Sequence, residues 1–370
     1  MHTKPLHFNW LYGTLSVMKG GGEMSKIMAA LSGGVDSAVA ALLLQKAGHS
    51  CSGAIMLLHG PAEDSVSDAQ SISRRLGIDF RVLDCQDVFR QYVMEDFVCA
   101  YEQGHTPNPC IVCNRHLKFS HFLREAEKAG CDAIATGHYA RIRQDKDTGR
   151  YLLLRAKDTA KDQSYFLYTL TQYQLQRTLF PLGELTKSEV RQIAEENGFV
   201  NAHRKDSQDI CFVPDGDYLS FMENYRGKKY EQGAFLDFSG KTVGTHNGAV
   251  GYTLGQRKGL GLALGAPVYV CGKDMQNNTV TVGAEENLFS TTLIADNCNW
   301  FPFEALTKPI TVTAKARSRH KEQPATVMPL SDGKVQVVFD APQRALTTGQ
   351  AVVFYDGDMV IGGGTITEIK

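Results

Sequence analysis

A short turn rich in serine and glycine carries the first residues that could do chemistry. Residues 30–37 are Ala-Leu-Ser-Gly-Gly-Val-Asp-Ser, between an apolar run at 27–31 that predicts a strand and a helical pattern at 38–46. Backbone N–H groups and the positive end of the helix dipole would face this turn, and its glycines would let a phosphate approach closely. Asp36 could then ligate a Mg²⁺ ion on that phosphate. The glycines are not followed by the Lys-Ser/Thr pair of kinases and GTPases, so the loop is of another type.

Two cysteines in polar surroundings form a second candidate set. Cys110 and Cys113 lie in segment 104–115, whose two prolines are expected to exclude a helix. Cys113 would then occupy a loop or the start of a helix over 115–128, where the helix end and Arg115 would lower the pKa of its thiol. A single Cys-x-x-Cys without a second pair is weak evidence for zinc, and a redox pair has the same spacing.

A third candidate thiol, Cys211, follows the polar run 203–210, which predicts an accessible and movable loop. The other six of the nine cysteines fall in or beside apolar stretches, where a thiol is usually a small core side chain. An odd, scattered set of cysteines does not form a disulfide scaffold and is typical of a reducing cytoplasm.

Strands and helices alternate after the glycine turn. Further apolar runs predict strands at 53–58, 80–83 and 133–136. This alternation predicts an α/β fold with a doubly wound parallel sheet, whose ligands bind beyond the carboxyl ends of the strands. Met56 and His138 fall at that edge. Met56 could pack on a base and His138 could contact a phosphate or a base, and a core methionine and a structural histidine are the alternatives.

Beyond residue 216 the sequence changes character. Glycine-rich β-like runs over 233–258 predict a small β-rich domain, and alternating residues from 309 onward predict a C-terminal β-barrel. Every second residue from Lys315 to Lys321 is basic, so these cations would share one face of a strand. Such a face suits an RNA backbone, or it is an ordinary solvated surface.

Composition limits the classes of protein that remain. The 370 residues are enough for two or three domains, and their formal net charge of −1 restricts any RNA contact to local patches. No apolar run approaches membrane-spanning length, so no membrane contact is expected. Residues 1–23 lack a targeting pattern. We expect them to be a disordered extension, or the true start to be Met24.

Taken together, the motifs resemble the bacterial tRNA-specific 2-thiouridylases, which belong to the PP-loop ATP pyrophosphatases. The motifs that carry the resemblance are Ser32–Ser37, Gly104–Lys118, Ala135–Tyr139, Lys161–Ser164, Asp206–Phe212 and Gly362–Gly364. They follow the order of the family from about Met24 to the C-terminus. The resemblance implies a PP-loop catalytic domain at 24–215, a central β-rich domain at 216–284 and a tRNA-contacting β-barrel at 285–370.

The resemblance also implies a reaction, the ATP-dependent 2-thiolation of the wobble uridine of tRNA. ATP adenylates the C2 oxygen, and sulfur from a protein persulfide replaces it, which gives 2-thiouridine, AMP and pyrophosphate. Cys211 matches the persulfide carrier of the family and Cys113 matches its nucleophile, with a transient Cys113–Cys211 disulfide between them. A persulfide sulfur-relay protein would load Cys211 in the cytoplasm.

The family match assigns residues to each ligand. ATP would contact Ala30, Leu31, Ser32, Gly33, Gly34, Val35, Asp36, Ser37, Met56 and Gly137, with Mg²⁺ held by Asp36 through the phosphates. The target base would contact Asn108, Pro109 and Cys110. The tRNA would contact His138, Lys161, Asp162, Gln163, Arg317, Ser318 and Gln350. Two positions depart from the family, because many members have Asp in place of Cys110 and an aromatic residue in place of Ser318.

Three other interpretations stay open. Cys110, Cys113 and Cys211 could hold an iron–sulfur cluster with one open iron, in another PP-loop tRNA sulfurtransferase. An amidating or argininosuccinate-type ligase would use the same ATP loop without thiols, and the paired loop cysteines argue against it. A noncatalytic RNA-binding protein with a structural metal is a third possibility, and the intact phosphate loop argues against that one.

Overall fold

The computed structural model describes residues 25–199 and 210–370, which fall into two units. The first unit comprises 25–90, 111–199 and 357–360, and the second comprises 91–110, 210–356 and 361–370. The extension expected at 1–23 lies outside the described residues. Among the residues described, no helix is long and apolar enough to cross a membrane.

A five-stranded parallel sheet organises the first unit. The strands of this unit are β1 (Lys26–Ala30), β2 (Ser50–Leu57), β3 (Asp79–Asp84), β4 (Ala133–Ala135), β5 (Ala140–Gln144), β6 (Tyr151–Arg155) and β7 (Thr178–Leu179). The sheet has the order β3-β2-β1-β4-β7, and β5 and β6 form an antiparallel hairpin that is not part of this sheet. Ile27, Met28 and Ala29 of the central strand are at most 1% exposed, as expected for a strand covered on both faces. The predicted parallel sheet is confirmed.

The α-helices among the described residues alternate with strands β1 to β3 as expected, and four of them then follow one another before β4. They are α1 (Val35–Lys46), α2 (Glu63–Leu76), α3 (Gln86–Phe89), α4 (Glu95–Glu102), α5 (Pro109–Cys113), α6 (Phe122–Lys128), α7 (Gln172–Gln176), α8 (Lys187–Glu196) and α9 (Tyr218–Arg226). Helix α8 begins with a capping box between Thr186 and Glu189, which fixes its first residue, Lys187.

The segment around the two prolines differs from the prediction. A helix begins at Pro109 and continues from α5 through a π-helical stretch, Asn114–His121, into α6. The expectation that the prolines exclude a helix was wrong because proline at the first helical position lacks only an N–H that would have no partner there. Cys110 and Cys113 therefore lie in the first turns of a helix.

A four-stranded sheet forms the central part of the second unit. Its strands are β8 (Gly233–Leu236), β9 (Thr242–His246), β10 (Tyr269–Asp274) and β11 (Thr279–Gly283), in the order β10-β11-β8-β9. Phe235, Val270 and Val280 are fully buried and form its core. The β-like runs that the sequence shows from residue 233 thus form a sheet.

The C-terminal strands of the second unit close into a barrel. They are β12 (Phe289–Trp300), β13 (Ile310–Lys315), β14 (Gln323–Pro329), β15 (Val335–Arg344), β16 (Ala351–Asp356) and β17 (Met359–Ile369). The order is β12-β15-β14-β13-β16-β17, and pairing of β12 with β17 closes the ring. The predicted barrel is confirmed, and the long first strand, β12, precedes the point at which the sequence pattern was expected to begin.

The expected basic strand at 315–321 is wrong in its extent. Strand β13 ends at Lys315, and the chain turns over residues 316–320. Arg317 and Arg319 therefore do not share a strand face with Lys315. The alternating basic residues therefore lie at the end of β13, in the turn and directly after the turn.

Gly362 permits the closure of the barrel. A Cβ atom at this position would lie 2.3 Å from the carbonyl oxygen of Asn299 and 2.6 Å from the indole of Trp300. Gly362 is paired with Trp300 across the β12–β17 seam. Only a residue without a side chain lets the two strands approach this closely.

We predict that Gly362→Ala destabilises the barrel by about 1–3 kcal/mol, because the added methyl must displace backbone. Urea unfolding followed by Trp300 fluorescence in a Trp10→Phe background measures this change. Gly272→Ala on β10 is the control, since its added Cβ would meet only Thr281 at an ordinary 3.6 Å. Equal stability of the two variants would contradict the role given to Gly362.

Candidate functional site

The glycine turn between β1 and α1 has a conformation that depends on Gly33 and Ser37. Gly33 has a left-handed φ of +75°, and a Cβ there would lie 2.8 Å from that of Asp68. The Ser37 hydroxyl donates to the carbonyl of Gly34 at 2.8 Å and accepts the N–H of Ser32 at 3.2 Å. The turn is therefore held by its own serine, and its backbone is fixed before any ligand arrives.

The start of α1 is open toward the turn. Gly34 is the N-cap of this 12-residue helix and offers no side-chain acceptor to the N–H groups of the first turn. These N–H groups and the helix dipole together favour an anion at this point. A cavity of about 310 Å³ adjoins Gly33 and Gly34 and is lined on one side by Ser67, Asp68 and Arg75.

Asp36 lies in the first turn of α1 and is held by two partners. Lys187 Nζ lies 2.8 Å from Oδ1 and 2.7 Å from Oδ2 of Asp36. The Tyr139 hydroxyl donates to Oδ1 at 2.9 Å. The Lys187 side chain is 10% exposed and that of Asp36 is 29% exposed. The carboxylate is thus oriented and charge-balanced, with one side still open to solvent.

The segment after β4, which carries Tyr139, packs closely on the start of α1. Gly137 follows β4, and a Cβ there would lie 2.9–3.0 Å from backbone atoms of Asp36 and Ser37. The absence of a side chain therefore lets the strand end pack directly on the helix start. Met56 lies near the end of β2 and is partly exposed, at the same edge of the sheet.

His138, next to Gly137, has its ring packed between aromatic side chains. Its Nδ1 is hydrogen-bonded to Thr136 Oγ1 at 2.8 Å, and its ring lies beside those of Phe119 and Phe180. Burial, and secondarily the charge of Lys118, holds the pKa of His138 well below its ordinary value. A neutral imidazole can form a hydrogen bond with a base but adds no positive charge for a phosphate.

Two of the three side chains in segment 161–163 form hydrogen bonds to neighbouring parts of the protein. Asp162 accepts hydrogen bonds from the N–H groups of Ala156 and Ser164 and from the Ser164 hydroxyl. Gln163 Oε1 accepts the N–H of Tyr139 at 2.9 Å. Both side chains were expected at the tRNA. In the structure the Asp162 carboxylate and the Gln163 side-chain carbonyl form hydrogen bonds within the protein. The bond from Gln163 holds Tyr139, whose hydroxyl donates to Asp36.

The candidate thiols differ in exposure. Cys110 is exposed and Cys113 is 7% exposed, on the same helix α5. The next residue, Asn114, donates from Nδ2 to the carbonyl of Phe166 at 3.0 Å and is 2% exposed. Helix α5 therefore presents one accessible thiol and one packed thiol within a single turn.

Cys211 is exposed and is the second described residue of its motif, after Ile210. The neighbouring Phe212 packs edge-on against Phe97 with ring centroids 5.3 Å apart, which anchors the chain directly after the thiol. Residues 206–209 of the motif lie outside the described residues. Within 25–199 and 210–370, no group of three or more His, Cys, Asp or Glu residues is placed to hold a metal ion.

The remaining predicted tRNA contacts lie in the second unit. Arg317 donates from Nη2 to the carbonyl of Ala345 at 2.8 Å, and Gln350 donates from Nε2 to the carbonyl of Thr106 at 2.9 Å. Ser318 is in the turn after β13. Asn108 and Pro109 precede Cys110 directly, Asn108 partly exposed and Pro109 buried.

Sequence reasoning did not single out Lys187 or the hydroxyl of Tyr139. The capping box at Thr186 predicts a helix start, but the partner of Lys187 lies 151 residues away. No local pattern encodes such a pair. Only the parallel sheet, which brings the starts of α1 and α8 to one edge, places the two charges together.

Family models match most of the chain. Residues 25–215 match the tRNA methyl transferase HUP domain, 219–284 the tRNA methyl transferase PRC-barrel domain and 290–366 the aminomethyltransferase β-barrel domain. The chain is also similar to curated proteins that carry the name tRNA-specific 2-thiouridylase MnmA. The protein of Clostridioides difficile (strain 630) is 44% identical over 352 residues, 92% of this chain and 98% of the relative. Those of Clostridium botulinum (strain Alaska E43) and Treponema denticola are 47% and 46% identical, each over 93% of this chain and 98% of the relative.

We predict that Asp36 and Lys187 stabilise each other by about 1–3 kcal/mol, because without Asp36 the Lys187 ammonium would be a largely buried charge without a counter-ion. A double-mutant cycle with Asp36→Asn and Lys187→Met, measured by urea unfolding, gives this coupling energy.

The control cycle uses Glu125 and Lys128, an i,i+3 pair on α6 whose lysine side chain is 72% exposed, for which about 0.5 kcal/mol or less is expected. A coupling for Asp36 and Lys187 no larger than that of the control would contradict the proposed electrostatic role of the pair.

Proposed function

The chain belongs to the tRNA-specific 2-thiouridylase family, and from this premise we propose that it replaces the C2 oxygen of the wobble uridine of tRNA with sulfur in an ATP-dependent reaction. The observation that supports this most strongly is the Ser-Gly-Gly-Val-Asp-Ser turn at the start of α1, with the oriented carboxylate of Asp36. Relatives of that name are 44–47% identical over 92–93% of the chain.

ATP activates a poor leaving group. The C2 oxygen of uridine attacks the α-phosphorus of ATP, a C2–O–P bond forms, and pyrophosphate leaves. The N–H groups at the start of α1 bind the phosphates and stabilise the negative charge that develops on them. AMP is then a good leaving group at C2, which an oxygen of the free base is not.

Sulfur transfer follows at the activated carbon. The terminal sulfur of a persulfide on Cys211 attacks C2, and AMP departs with the former carbonyl oxygen. The Cys113 thiolate then attacks Sγ of Cys211, which breaks the sulfur–sulfur bond and releases 2-thiouridine. The products are a Cys113–Cys211 disulfide and a thiolated base, and a two-electron thiol reductant restores the enzyme.

The residues at the turn fit a Mg²⁺ ion on the bound phosphates. The Asp36 side chain is 29% exposed, so its carboxylate is accessible to an ion. Mg²⁺ is commonly bound by one protein carboxylate together with phosphate oxygens and water. Asp36 would hold the ion once an oxygen is released from Lys187. The ion would neutralise charge on the leaving pyrophosphate, and the buried ammonium of Lys187 would add a second positive charge near it.

The partners follow from this chemistry. The substrate is a tRNA with a modifiable wobble uridine, and a persulfide-bearing relay protein supplies the sulfur to Cys211. We retain Asn108, Pro109 and Cys110 as contacts of the target base and Lys161 as a contact of the tRNA. The cytoplasm remains the predicted location.

The direct test is reconstitution with tRNA, ATP and a persulfide donor. We predict one AMP for each 2-thiouridine found by mass spectrometry of nucleosides, and loss of 2-thiouridine from the tRNA of cells that lack the gene. Asp36→Asn should abolish AMP formation while tRNA binding persists. AMP formation that needs an amine or amino acid, without thiolated tRNA, would instead indicate a ligase.

We predict three distinct effects for the three thiols. Cys211→Ser should not load sulfur, because a hydroxyl cannot carry a persulfide. Cys113→Ser should load sulfur at Cys211 but not turn over. Cys110→Asp should remain active, since that residue is common in the family at this position. Cys271→Ser on β10 is the control and should retain activity.

Peptide mapping after a single turnover without reductant decides the pairing. The mechanism requires a Cys113–Cys211 disulfide. A Cys110–Cys211 disulfide together with an inactive Cys110→Asp variant would transfer the role of nucleophile to Cys110. Bound iron, with activity lost in all three variants, would support the iron–sulfur alternative.

A further inference from the structure

We propose that Arg317 and Gln350 position the loop that receives the target nucleotide, and that they do so in the absence of tRNA. The family resemblance places both residues at the tRNA, but their side chains are engaged within the second unit. The proposal rests on the proposed function only for the identity of what the loop receives. The loop is residues 104–108, which lead directly into α5 and Cys110.

Gln350 holds the loop by its side-chain amide. Its Nε2 donates to the carbonyl of Thr106 at 2.9 Å and to the carbonyl of Pro107 at 3.2 Å. These are the two carbonyls that precede Asn108. A backbone with two prolines has few N–H groups of its own to satisfy such carbonyls, so one glutamine supplies both donors.

The segment that carries Gln350, residues 345–350, makes further bonds to the same loop. The N–H of Thr106 donates to the carbonyl of Thr348 at 2.9 Å, and His105 Nδ1 is hydrogen-bonded to Thr348 Oγ1 at 2.9 Å. Gly349 packs so closely that a Cβ would lie 2.9 Å from His105 Cβ and 3.0 Å from the Thr106 nitrogen. Loop 104–108 is therefore bonded at three successive residues.

Arg317 fixes segment 345–350 from its other side. Its Nη2 donates to the carbonyls of Ala345 and Leu254 at 2.8 and 3.3 Å and to the hydroxyl of Thr347. Thr347 is fully buried and Ala345 is 2% exposed. An arginine bonded to two carbonyls and a buried hydroxyl serves as an internal brace of segment 345–350.

Backbone strain in the same segment supports a specified conformation. Ala345 has a φ of +50° and Gly349 a φ of +85°. A left-handed alanine is unfavourable by about 1 kcal/mol and persists only where its surroundings hold it. Here the holding contacts are the bond from Arg317 and the burial of Thr347. The brace, the segment and the loop form one continuous hydrogen-bonded path.

The consequence is a preformed approach to the reacting base. Gln350 sets the two carbonyls before Asn108, and Pro109 then starts α5 with a fixed φ. Displacement of this path would shift Cys110 relative to the base and lower kcat, while tRNA would still bind through its other contacts. A tRNA-contact role predicts the opposite, namely weaker binding with the free loop unaffected.

The test measures the loop in the tRNA-free protein. In Gln350→Ala, hydrogen exchange at the Thr106 amide should accelerate by about fivefold to tenfold, the effect of losing roughly 1 kcal/mol of hydrogen bonding. kcat for 2-thiouridine formation should fall, and the tRNA Kd should change by about twofold or less. Gln343→Ala is the matched control, because that amide donates only to the nearby carbonyl of Ala341 on its own strand.

Two further variants keep the proposal testable if Gln350→Ala folds poorly. Thr348→Val removes the bond to His105 and should accelerate exchange of the loop to a smaller extent. Arg317→Ala should accelerate exchange in both 345–350 and 104–108 and leave the salt dependence of tRNA binding unchanged. A loss of about one unit in the slope of log K against log salt would instead identify Arg317 as a phosphate contact.

The outcomes separate this inference from the proposed function. Unchanged exchange at 104–108 in Gln350→Ala, with weaker tRNA binding, would overturn the positioning role. Wild-type protein that forms no 2-thiouridine would overturn the proposed function, while the exchange measurement would still report on the loop.

Discussion

The ammonium of Lys187 is largely removed from water and requires an anion, and this requirement organises the nucleotide site. Asp36 supplies the anion at 2.7–2.8 Å, and Tyr139 donates to the same carboxylate. The pair draws together the first turns of two helices, and the Gly137 backbone packs without a side chain against the start of α1. A phosphate that enters this turn meets a helix start whose N–H groups have no side-chain cap, and these groups favour an anion.

The sequence was sufficient for the parts of the fold that rest on local patterns. The apolar runs predicted β1, β2 and β3 to within a few residues, and the alternation predicted the parallel sheet. The sequence did not predict the local structure where one residue pattern is compatible with two conformations. Pro109 begins a helix where proline was expected to prevent one, and the basic alternation after Lys315 is a turn.

The motifs of the candidate site can be recognised in the sequence, but the pairs of distant residues that contact each other cannot. The turn at 30–37 and the three thiols stand out by composition. Lys187 could not be found in this way, because its partner is 151 residues distant and the pairing exists only after the sheet forms. The same holds for Gln163 and Gln350, whose hydrogen bonds to Tyr139 and Thr106 no local pattern predicts. A motif marks a polar residue as important, but its contacts decide whether it touches the ligand or holds the residue that does.

The most direct measurement of the central claim follows the oxygen that is replaced. A tRNA with ¹⁸O at C2 of the wobble uridine is thiolated in a single turnover, and the AMP is analysed by mass spectrometry. Adenylation of the C2 oxygen predicts one ¹⁸O in the phosphate of each AMP, in equal amount to the 2-thiouridine formed. AMP without the label would contradict the account, because the oxygen would then have left uridine by a route that does not pass through the bond to phosphorus.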